Sequence, residues 1–191
     1  MPRSFDRINV MRIIAGRFKR RVLAAPTGTV TRPTTDQMRE AIFNLVTARL
    51  DLDQIAVLDL FSGTGALGLE AMSRGAGHLD GIEVSAASIK VARANAFSLD
   101  PKMSVRFISA DVYRWIKQQK KETYQLILAD PPYGQPGIEL LLEEVVPLLS
   151  PKGLFVLEHD RQTSFQDHES FEVTRSYGKS SVSLFSPQNV K

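Results

Sequence analysis

A short segment, Asp130-Pro131-Pro132-Tyr133, places a carboxylate, a stiff turn and an aromatic ring directly after the apolar run YQLILA. The prolines restrict the turn, so the Asp130 carboxylate and the Pro131 carbonyl can stand as preorganised hydrogen-bond acceptors. The lone pair of an exocyclic amino nitrogen is delocalised into the π system of the base, which makes the nitrogen a poor nucleophile. Two acceptors that bind both N–H groups favour a pyramidal nitrogen, whose lone pair is free to attack. The Tyr133 ring offers a face on which a base can stack. The segment therefore predicts attack by an exocyclic amino group, with Asp130, Pro131 and Tyr133 as catalytic residues.

A glycine-rich loop, Gly63-x-Gly65-x-x-Gly68, follows the apolar run IAVLDLF. Glycines at this spacing let the backbone approach a ligand closely, and the helix N-terminus beyond them adds to the binding. The loop predicts an adenosine-containing cofactor, but it suits NAD and S-adenosylmethionine (SAM) equally. Glu83, 18 residues after Gly65, does not discriminate either, because it can accept hydrogen bonds from the ribose hydroxyls of both.

Asp59 favours SAM over NAD. It lies within an otherwise apolar strand, where a carboxylate needs a partner. The cationic amino group of a methionine moiety would be such a partner, whereas the pyrophosphate of NAD would repel Asp59. Asp111 ends the third strand and can accept a hydrogen bond from the adenine amino group, with the Val112 N–H serving a ring nitrogen. N-capping of the next helix is the competing role for Asp111, and the two are compatible.

The expected cofactor is therefore SAM, with S-adenosylhomocysteine as the product. The residues expected to hold SAM are Asp59, Ser62, Gly63, Thr64, Gly65, Gly68, Glu83, Val84, Asp111, Val112 and Asp130.

The composition excludes several other kinds of chemistry. The chain has 191 residues and no cysteine, which removes thiolate metal sites and methylation of a pyrimidine carbon through a cysteine adduct. Its histidines, His78, His159 and His168, lack metal-ligand spacing, so no metal is expected. No window is apolar enough to span a membrane, and the first residues have no signal-peptide core, so we expect a cytoplasmic protein.

From residue 55 onward, strand and helix patterns alternate through five β/α units, which predicts a parallel sheet covered on both faces. FEVTRSYG and SSVSLFS follow without a helix between them and predict an antiparallel closing hairpin, for seven strands in all. Ahead of the sheet, MRIIAGRFKRRVLAAP predicts two short strands around Gly16. An amphipathic helix follows, with Thr34 and Gln37 forming a capping box. We divide the chain into an N-terminal extension, 1–52, and a catalytic domain, 53–191.

Basic residues are concentrated near the N-terminus. The net charge is only +3, but eight basic residues and a single acid, Asp6, lie between Arg3 and Arg32. Such a patch suits a phosphate backbone, although a solvated basic edge that prevents aggregation has the same composition. The residues expected to bind nucleic acid are Arg17, Lys19, Arg20, Arg21 and Arg32.

Five stretches together resemble the bacterial methyltransferases of the RsmD type. They are RIIAGRFKRRVLAAP, RPTTDQMREAIFN, DLFSGTGALGLEAMSRGA, DPPYG and, more weakly, YGKSSVSLF, and they extend from Met11 to about Phe185. RPTTDQMREAIFN is the most specific of them. One departure is Val84-Ser85, where many relatives carry a further acid after the position of Glu83.

This resemblance implies a class I SAM-dependent methyltransferase fold and methylation of the N2 amino group of a guanine in small-subunit (16S) ribosomal RNA. It also implies that the first helix helps to close the cofactor pocket, that Asp130 and Tyr133 receive a flipped base and that the basic hairpin lies on RNA. We expect a monomer that acts on an assembled or assembling small ribosomal subunit.

Other readings of the same residues stay open. DNA adenine-N6 methyltransferases share the Asp-Pro-Pro-Tyr motif, although the roughly 50 residues before the glycine loop leave little room for a sequence-reading module. Protein-glutamine methyltransferases use the same kind of pocket, usually with Asn in place of Asp130. An NAD-dependent dehydrogenase would need a substrate domain that is not visible after residue 135. A non-catalytic RNA-binding protein would not need Glu83, Asp130 and Tyr133.

Overall fold

The computed structural model describes residues 11–25, 35–132, 134 and 137–187. Helices and strands alternate along the chain, as the sequence patterns predict. In chain order the elements are α1 (Asp36–Thr47), β1 (Ala56–Leu60), α2 (Ala66–Ser73), β2 (His78–Glu83), α3 (Ala86–Leu99), β3 (Val105–Ser109), α4 (Val112–Ile116), β4 (Tyr124–Ala129), α5 (Ile138–Val145), a 3₁₀ turn (Val146–Leu148), β5 (Leu149–Asp160), β6 (Phe171–Tyr177) and β7 (Ser180–Phe185).

The strands form one seven-stranded sheet in the order β3-β2-β1-β4-β5-β7-β6. Strands β1 to β5 are parallel, and β7 pairs antiparallel with both β5 and β6. This arrangement confirms the predicted α/β fold with its antiparallel closing hairpin. The strand order reverses between β1 and β4, which puts a crevice at the carboxyl ends of these strands, where open parallel sheets bind ligands.

Each central strand is buried on both faces because helices cover the sheet on both sides. Val57 of β1 belongs to a hydrophobic cluster with α1, α2 and α3, whereas Leu58 belongs to a second cluster with α4 and α5. Alternate residues of a strand point to opposite faces. Asp59 therefore shares the face of Val57, below α2 and α3.

The N-terminal segment differs from the predicted hairpin of two strands. A single antiparallel bridge joins Arg12 to Val22, flanked by the hydrogen bonds Ile13 N to Arg21 O and Leu23 N to Met11 O, both 2.9 Å. The ladder does not continue, because the next backbone amides turn to α2 instead. Ile14 N and Ala15 N donate to the Glu70 carboxylate at 2.7 Å and 3.0 Å. We call residues 11–25 the hairpin segment.

Helix α1 begins one residue later than the predicted capping box. Thr35 is the N-cap, and its Oγ1 accepts a hydrogen bond from Met38 N at 3.2 Å. Thr34 lies outside the described residues. Arg39 and Phe43, which the apolar spacing did not mark as core, are both fully buried. Arg39 is held there by Asp36 and by the Arg12 carbonyl, at 2.7 Å and 2.6 Å.

The hairpin segment and α1 pack directly on the sheet. Ile13, Leu23 and Phe43 lie in the same hydrophobic cluster as Val57 and Leu69. The division of the chain at residue 52 stays a prediction.

Candidate active site

The glycine loop connects β1 to α2 through conformations that glycine adopts without strain. Gly65 has a φ of +82° and forms the N-cap of α2. A Cβ atom there would lie 2.9 Å from the ring of Phe107, and one on Gly68 would lie 2.6 Å from Leu79. Side chains at either position would push α2 away from the sheet. The glycines therefore fix how closely the helix N-terminus approaches the carboxyl ends of the strands.

Asp59 is 1% exposed and accepts a hydrogen bond from the Gly68 backbone N–H at 2.9 Å. Burial raises the pKa of this carboxyl group from 3.8 to about 7, against the lowering effect of the Gly68 hydrogen bond. The negative charges of Asp130 and Glu83 raise the pKa further. Asp59 is thus a buried acid whose ionised form would be stabilised by a cation.

Glu83, at the end of β2, holds the backbone on two sides of the crevice. One carboxylate oxygen accepts a hydrogen bond from Gly63 N at 3.1 Å, and the other accepts from Ser85 N at 2.7 Å. Ser85 in turn caps α3. Val84, between these two anchors, is 71% exposed. Glu83 therefore fixes the loop from the neighbouring strand, and Val84 presents an apolar surface beside it.

Two features of the loop fit a bound polar ligand. The Ser62 hydroxyl is buried without a hydrogen-bond partner among the described residues, a state that is uncommon unless a water or ligand supplies one. A Cβ atom on Gly63 would meet no atom within 4 Å, so the backbone there faces open space. With the acids at Asp59 and Glu83, this set suits the ammonium, ribose and sulfonium groups of SAM better than the phosphates of NAD.

Asp111 is exposed and caps α4, accepting a hydrogen bond from Arg114 N at 2.9 Å. The following Val112 is buried. The capping role is therefore present, and the adenine-binding role of this pair stays a prediction. The neighbouring Tyr113 makes an edge contact with Phe61, with ring centroids 6.1 Å apart.

Three of the carboxylates that the sequence singled out, Asp59, Glu83 and Asp130, converge at one edge of the sheet. Asp130 follows β4, is half-buried, and lies close enough to Asp59 to shift its pKa. The following residue, Pro131, is buried. Tyr133 lies outside the described residues. The structure thus brings Asp59, Glu83 and Asp130 together, as expected from strands β1, β2 and β4 being neighbours.

The hairpin segment, in contrast, turns at the other edge of the sheet. Arg17 N donates to the Ser73 carbonyl at the end of α2, at 2.8 Å. The Arg21 guanidinium donates to the Ser98 carbonyl near the end of α3, at 2.6 Å. Lys19 and Arg20 are exposed on the turn, and Arg32 lies outside the described residues. Helices α2 and α3 run away from the carboxyl edge, so the turn is distant from Asp130.

A buried polar residue that the sequence did not single out connects the hairpin segment to the glycine loop. Asn95 of α3 is 3% exposed; its Oδ1 accepts from Ala24 N at 2.8 Å, and its Nδ2 donates to the carbonyls of Ala24 and Thr64, both at 3.1 Å. One side chain therefore joins the hairpin segment to the glycine loop. The only sequence signal was a polar residue at a buried helical position.

Glu158 is a second buried residue that was missed. It is 6% exposed and follows Leu157, which pairs with Ala129 across β5 and β4. Glu158 therefore lies opposite Asp130 in register. The apolar run GLFVLEH marked the strand but gave no reason to single out its acid.

Within the described part of the chain, no cluster of three or more histidine, aspartate or glutamate residues could hold a metal ion. None of the helices described is long and apolar enough to cross a membrane.

Known proteins share both the sequence pattern and the fold. A family model described as Conserved hypothetical protein 95 matches residues 11–186. The Bacillus subtilis protein named "Putative rRNA methyltransferase YlbH" is 34% identical, and the match covers 92% of this chain and 98% of that one. Ribosomal RNA small subunit methyltransferase D of Escherichia coli strain K12 is 35% identical, covering 75% and 68% of the two chains.

Solved structures agree with this match. The Escherichia coli structure titled "Putative methyltransferase yhhF" superimposes with a TM-score of 0.80 at 27% identity, covering 94% of this chain and 99% of that one. An RNA methyltransferase from Salinibacter ruber in complex with S-adenosyl-L-homocysteine has a TM-score of 0.63 at 21% identity, covering 84% and 97%. The second likeness shows the fold alone. Together with the glycine loop and the acids beside it, these matches show that the chain belongs to the Conserved hypothetical protein 95 family of RsmD-type, SAM-dependent methyltransferases.

Proposed function

We propose that this protein transfers a methyl group from SAM to the N2 amino group of a guanine in small-subunit (16S) ribosomal RNA. The observation that carries the proposal is the convergence of Asp59, Glu83 and Asp130 at the carboxyl edge, beside the glycine loop. The printed names of the relatives support ribosomal RNA as the substrate class. The guanine and its N2 position are supported by the resemblance and by the acceptors at Asp130 and Pro131.

Residues of the crevice would hold SAM through its charged and polar groups. Asp59 would pair with the ammonium group, Glu83 would accept from the ribose hydroxyls, and Asp111 with Val112 would meet the adenine. The backbone of Ser62, Gly63, Thr64, Gly65 and Gly68 would line the remaining surface of the pocket, next to Val84. Bound SAM supplies an electrophilic methyl group on a positively charged sulfur.

Asp130 and Pro131 would act on the amino group of the base. The carboxylate and the carbonyl each accept one N–H, which directs the nitrogen lone pair out of the plane of the base and toward the methyl carbon. A nitrogen–carbon bond then forms as the carbon–sulfur bond breaks, and the electron pair stays on sulfur. The nitrogen would become cationic and lose one proton, which the Asp130 carboxylate would accept. The protein contributes mainly positioning and electrostatic stabilisation.

The target base must leave its stack before it can reach this crevice, because a stacked amino group is inaccessible. Tyr133 would stack on the flipped base. Arg17, Lys19, Arg20, Arg21 and Arg32 would hold the phosphate backbone of the surrounding RNA. In this proposal residues 1–52 form the RNA-facing extension and 53–191 the catalytic domain. The protein would act in the cytoplasm as a monomer on an assembled or assembling small subunit.

Methyl transfer from isotope-labelled SAM, followed by nucleoside mass spectrometry, tests this function. Unmethylated small subunits, protein-free rRNA, duplex DNA and a glutamine-containing protein extract would be compared in parallel, with Asp130→Ala as the blank. We expect labelled N2-methylguanosine from ribosomal RNA and none with the variant. Labelled N6-methyladenine in DNA, or label in protein only, would replace the proposed substrate by one of the two alternatives.

A further inference from the structure

The turn of the hairpin segment forms a basic surface at the amino edge of the sheet. Arg17, Lys19, Arg20 and Arg21 are exposed there, and the only described acid that pairs with any of them is Asp100, 3.6 Å from Arg17. Helix α3 runs from the carboxyl edge to this surface. Its 14 residues make it roughly 20 Å long.

Phe18, within the turn, is half-buried against Arg17, with 4.4 Å between its ring centroid and the guanidinium carbon, whereas the ring of Phe97 is exposed near this basic surface. Phe97 of α3 is 69% exposed, and the next residue, Ser98, is the one whose carbonyl binds the Arg21 guanidinium. Val22, which follows Arg21, is 60% exposed. Phe97 therefore lies one residue from a backbone carbonyl that binds a cation of the turn, and Val22 follows that cation in the sequence.

Isolated exposed apolar residues are ordinary on protein surfaces, so exposure alone says little. Four large apolar side chains are strongly exposed among the described residues: Val22, Val84, Phe97 and Leu140. Val84 borders the cofactor crevice, and Leu140 lies near Gly137 after the catalytic turn. Val22 follows Arg21 in the sequence, Phe97 precedes the residue that binds Arg21, and Phe97 alone of the four is aromatic. A flat ring beside guanidinium and ammonium groups is the combination that binds unpaired nucleotides.

We propose that Phe97 and the basic turn form a second RNA contact, in which Phe97 stacks on an unpaired base and the neighbouring cations bind phosphates. This inference rests on the proposed function, because it takes the substrate to be RNA. The contact lies near the C-terminal end of α3, whereas Asp130 follows β4 at the carboxyl edge. The RNA would then extend beyond the crevice to the C-terminal end of α3, and an oligonucleotide that stops at the target guanine would lack this contact.

Equilibrium binding of a protein-free small-subunit rRNA fragment tests this contact without depending on catalysis. Phe97→Ala should weaken RNA binding about tenfold, within the range for loss of one base–aromatic stack. Phe97→Trp should bind within about twofold of the unchanged protein. Phe97→Leu, which is apolar but not flat, should lose about as much as Phe97→Ala. Lys179→Ala, in the exposed turn between β6 and β7, is the control and should bind normally.

Each variant should keep its affinity for SAM and its melting temperature, since the side chain is largely in solvent. Unchanged RNA binding by Phe97→Ala would overturn the proposal. Full rescue by leucine would indicate apolar packing instead of stacking. If Phe97→Ala weakened binding to assembled subunits but not to protein-free RNA, the partner of Phe97 would be a ribosomal protein and not RNA. Failure of the proposed function would look different: the unchanged protein would bind RNA through Phe97 yet produce no N2-methylguanosine.

Discussion

Asp59 is the residue whose chemistry is most altered by its surroundings. Burial raises the pKa of its carboxyl group to about 7, from 3.8. In the unfolded chain the group ionises near its ordinary pKa, so between pH 4 and 7 folding takes up a proton. The protonated Asp59 carboxyl group therefore makes its full contribution to the free energy of unfolding below about pH 4. This contribution is lost as the pH rises through about 7.

The first prediction concerns stability. Asp59→Asn should raise the melting temperature of the ligand-free protein by several degrees at pH 8 and by much less at pH 5, because the neutral amide avoids the buried charge and can still accept from Gly68. Thermal denaturation at the two pH values measures this difference. If Asp59→Asn raised the melting temperature equally at pH 5 and pH 8, or lowered it more at pH 8, the burial argument would be contradicted.

The second prediction concerns binding at the same residue. If the SAM ammonium pairs with the Asp59 carboxylate, affinity for SAM should increase as pH rises from 6 to 8, when the acid ionises. Asp59→Asn should bind more weakly at pH 8 and show little of this dependence. Isothermal titration in two buffers of different ionisation enthalpy would also detect the proton released on binding. An unchanged profile in the variant would exclude Asp59 as the titrating group.

At the scale of single residues, the buried acid, the glycine loop and the Asp130 turn could be singled out from the sequence because each interrupts a regular pattern. Asp59 stands out within an apolar strand, and Asp130 directly precedes two prolines. Asn95 and Glu158 were not identifiable in this way. Their importance comes from the side chains and strands they meet across the fold, at sequence separations that a local pattern does not encode.

At the scale of elements, α2 connects the chemistry to the hairpin segment. Its N-terminus carries the glycine loop, and its buried Glu70 accepts hydrogen bonds from Ile14 and Ala15. Near its end, Ser73 accepts from Phe18 N and donates to the Ala15 carbonyl. Gly16 approaches the Ser73 carbonyl so closely that a Cβ atom would overlap it. These hydrogen bonds to α2 take the place of the predicted strand pairing around Gly16, and they depend on residues more than 50 positions away in the sequence.

The third prediction tests the link between α3, the hairpin segment and the glycine loop. Asn95→Ala removes three hydrogen bonds from a buried position and leaves groups of Ala24 and Thr64 without that partner. Ala24 is exposed and Thr64 half-buried, so each lost hydrogen bond costs about 0.5–1.5 kcal/mol. We expect a melting temperature lower by several degrees and at least a severalfold weaker affinity for SAM, measured by thermal denaturation and titration.

Ser98→Ala is the matched control for Asn95, because it lies on the same helix and its hydroxyl bonds only to the Asn95 carbonyl among the contacts described. It should leave SAM binding unchanged. An Asn95→Ala protein with reduced stability but normal SAM affinity would show that the side chain supports the hairpin segment alone and does not position the loop.

At the scale of the whole molecule, the basic turn lies at the amino edge of the sheet, and Asp59, Glu83 and Asp130 lie toward the carboxyl edge. The sequence predicted the parallel sheet and its closing hairpin because strand and helix periodicities alternate cleanly from residue 55. It also predicted a basic hairpin, but not that the turn lies at the edge opposite the acids. That placement follows from the packing of residues 11–25 along α2 and α3.

The fourth prediction is a salt dependence that separates RNA binding from chemistry. Replacing Lys19 and Arg20 together by Ala should weaken rRNA binding and reduce the slope of log affinity against log salt by about 2, one for each lost phosphate contact. The single-turnover rate at saturating RNA should stay within about twofold, because the basic turn is remote from Asp130. A double variant with an unchanged salt slope would remove these two residues from the RNA-binding surface.

The central claim is that Asp130 positions the amino group of the target base for attack. The measurement that tests it most directly is the single-turnover rate of methyl transfer by Asp130→Asn, with SAM and rRNA both saturating. We predict a fall of at least about 100-fold, while the affinities for SAM and rRNA change by no more than a few fold. Transfer at the rate of the unchanged protein, or a loss fully explained by weaker SAM binding, would contradict the account.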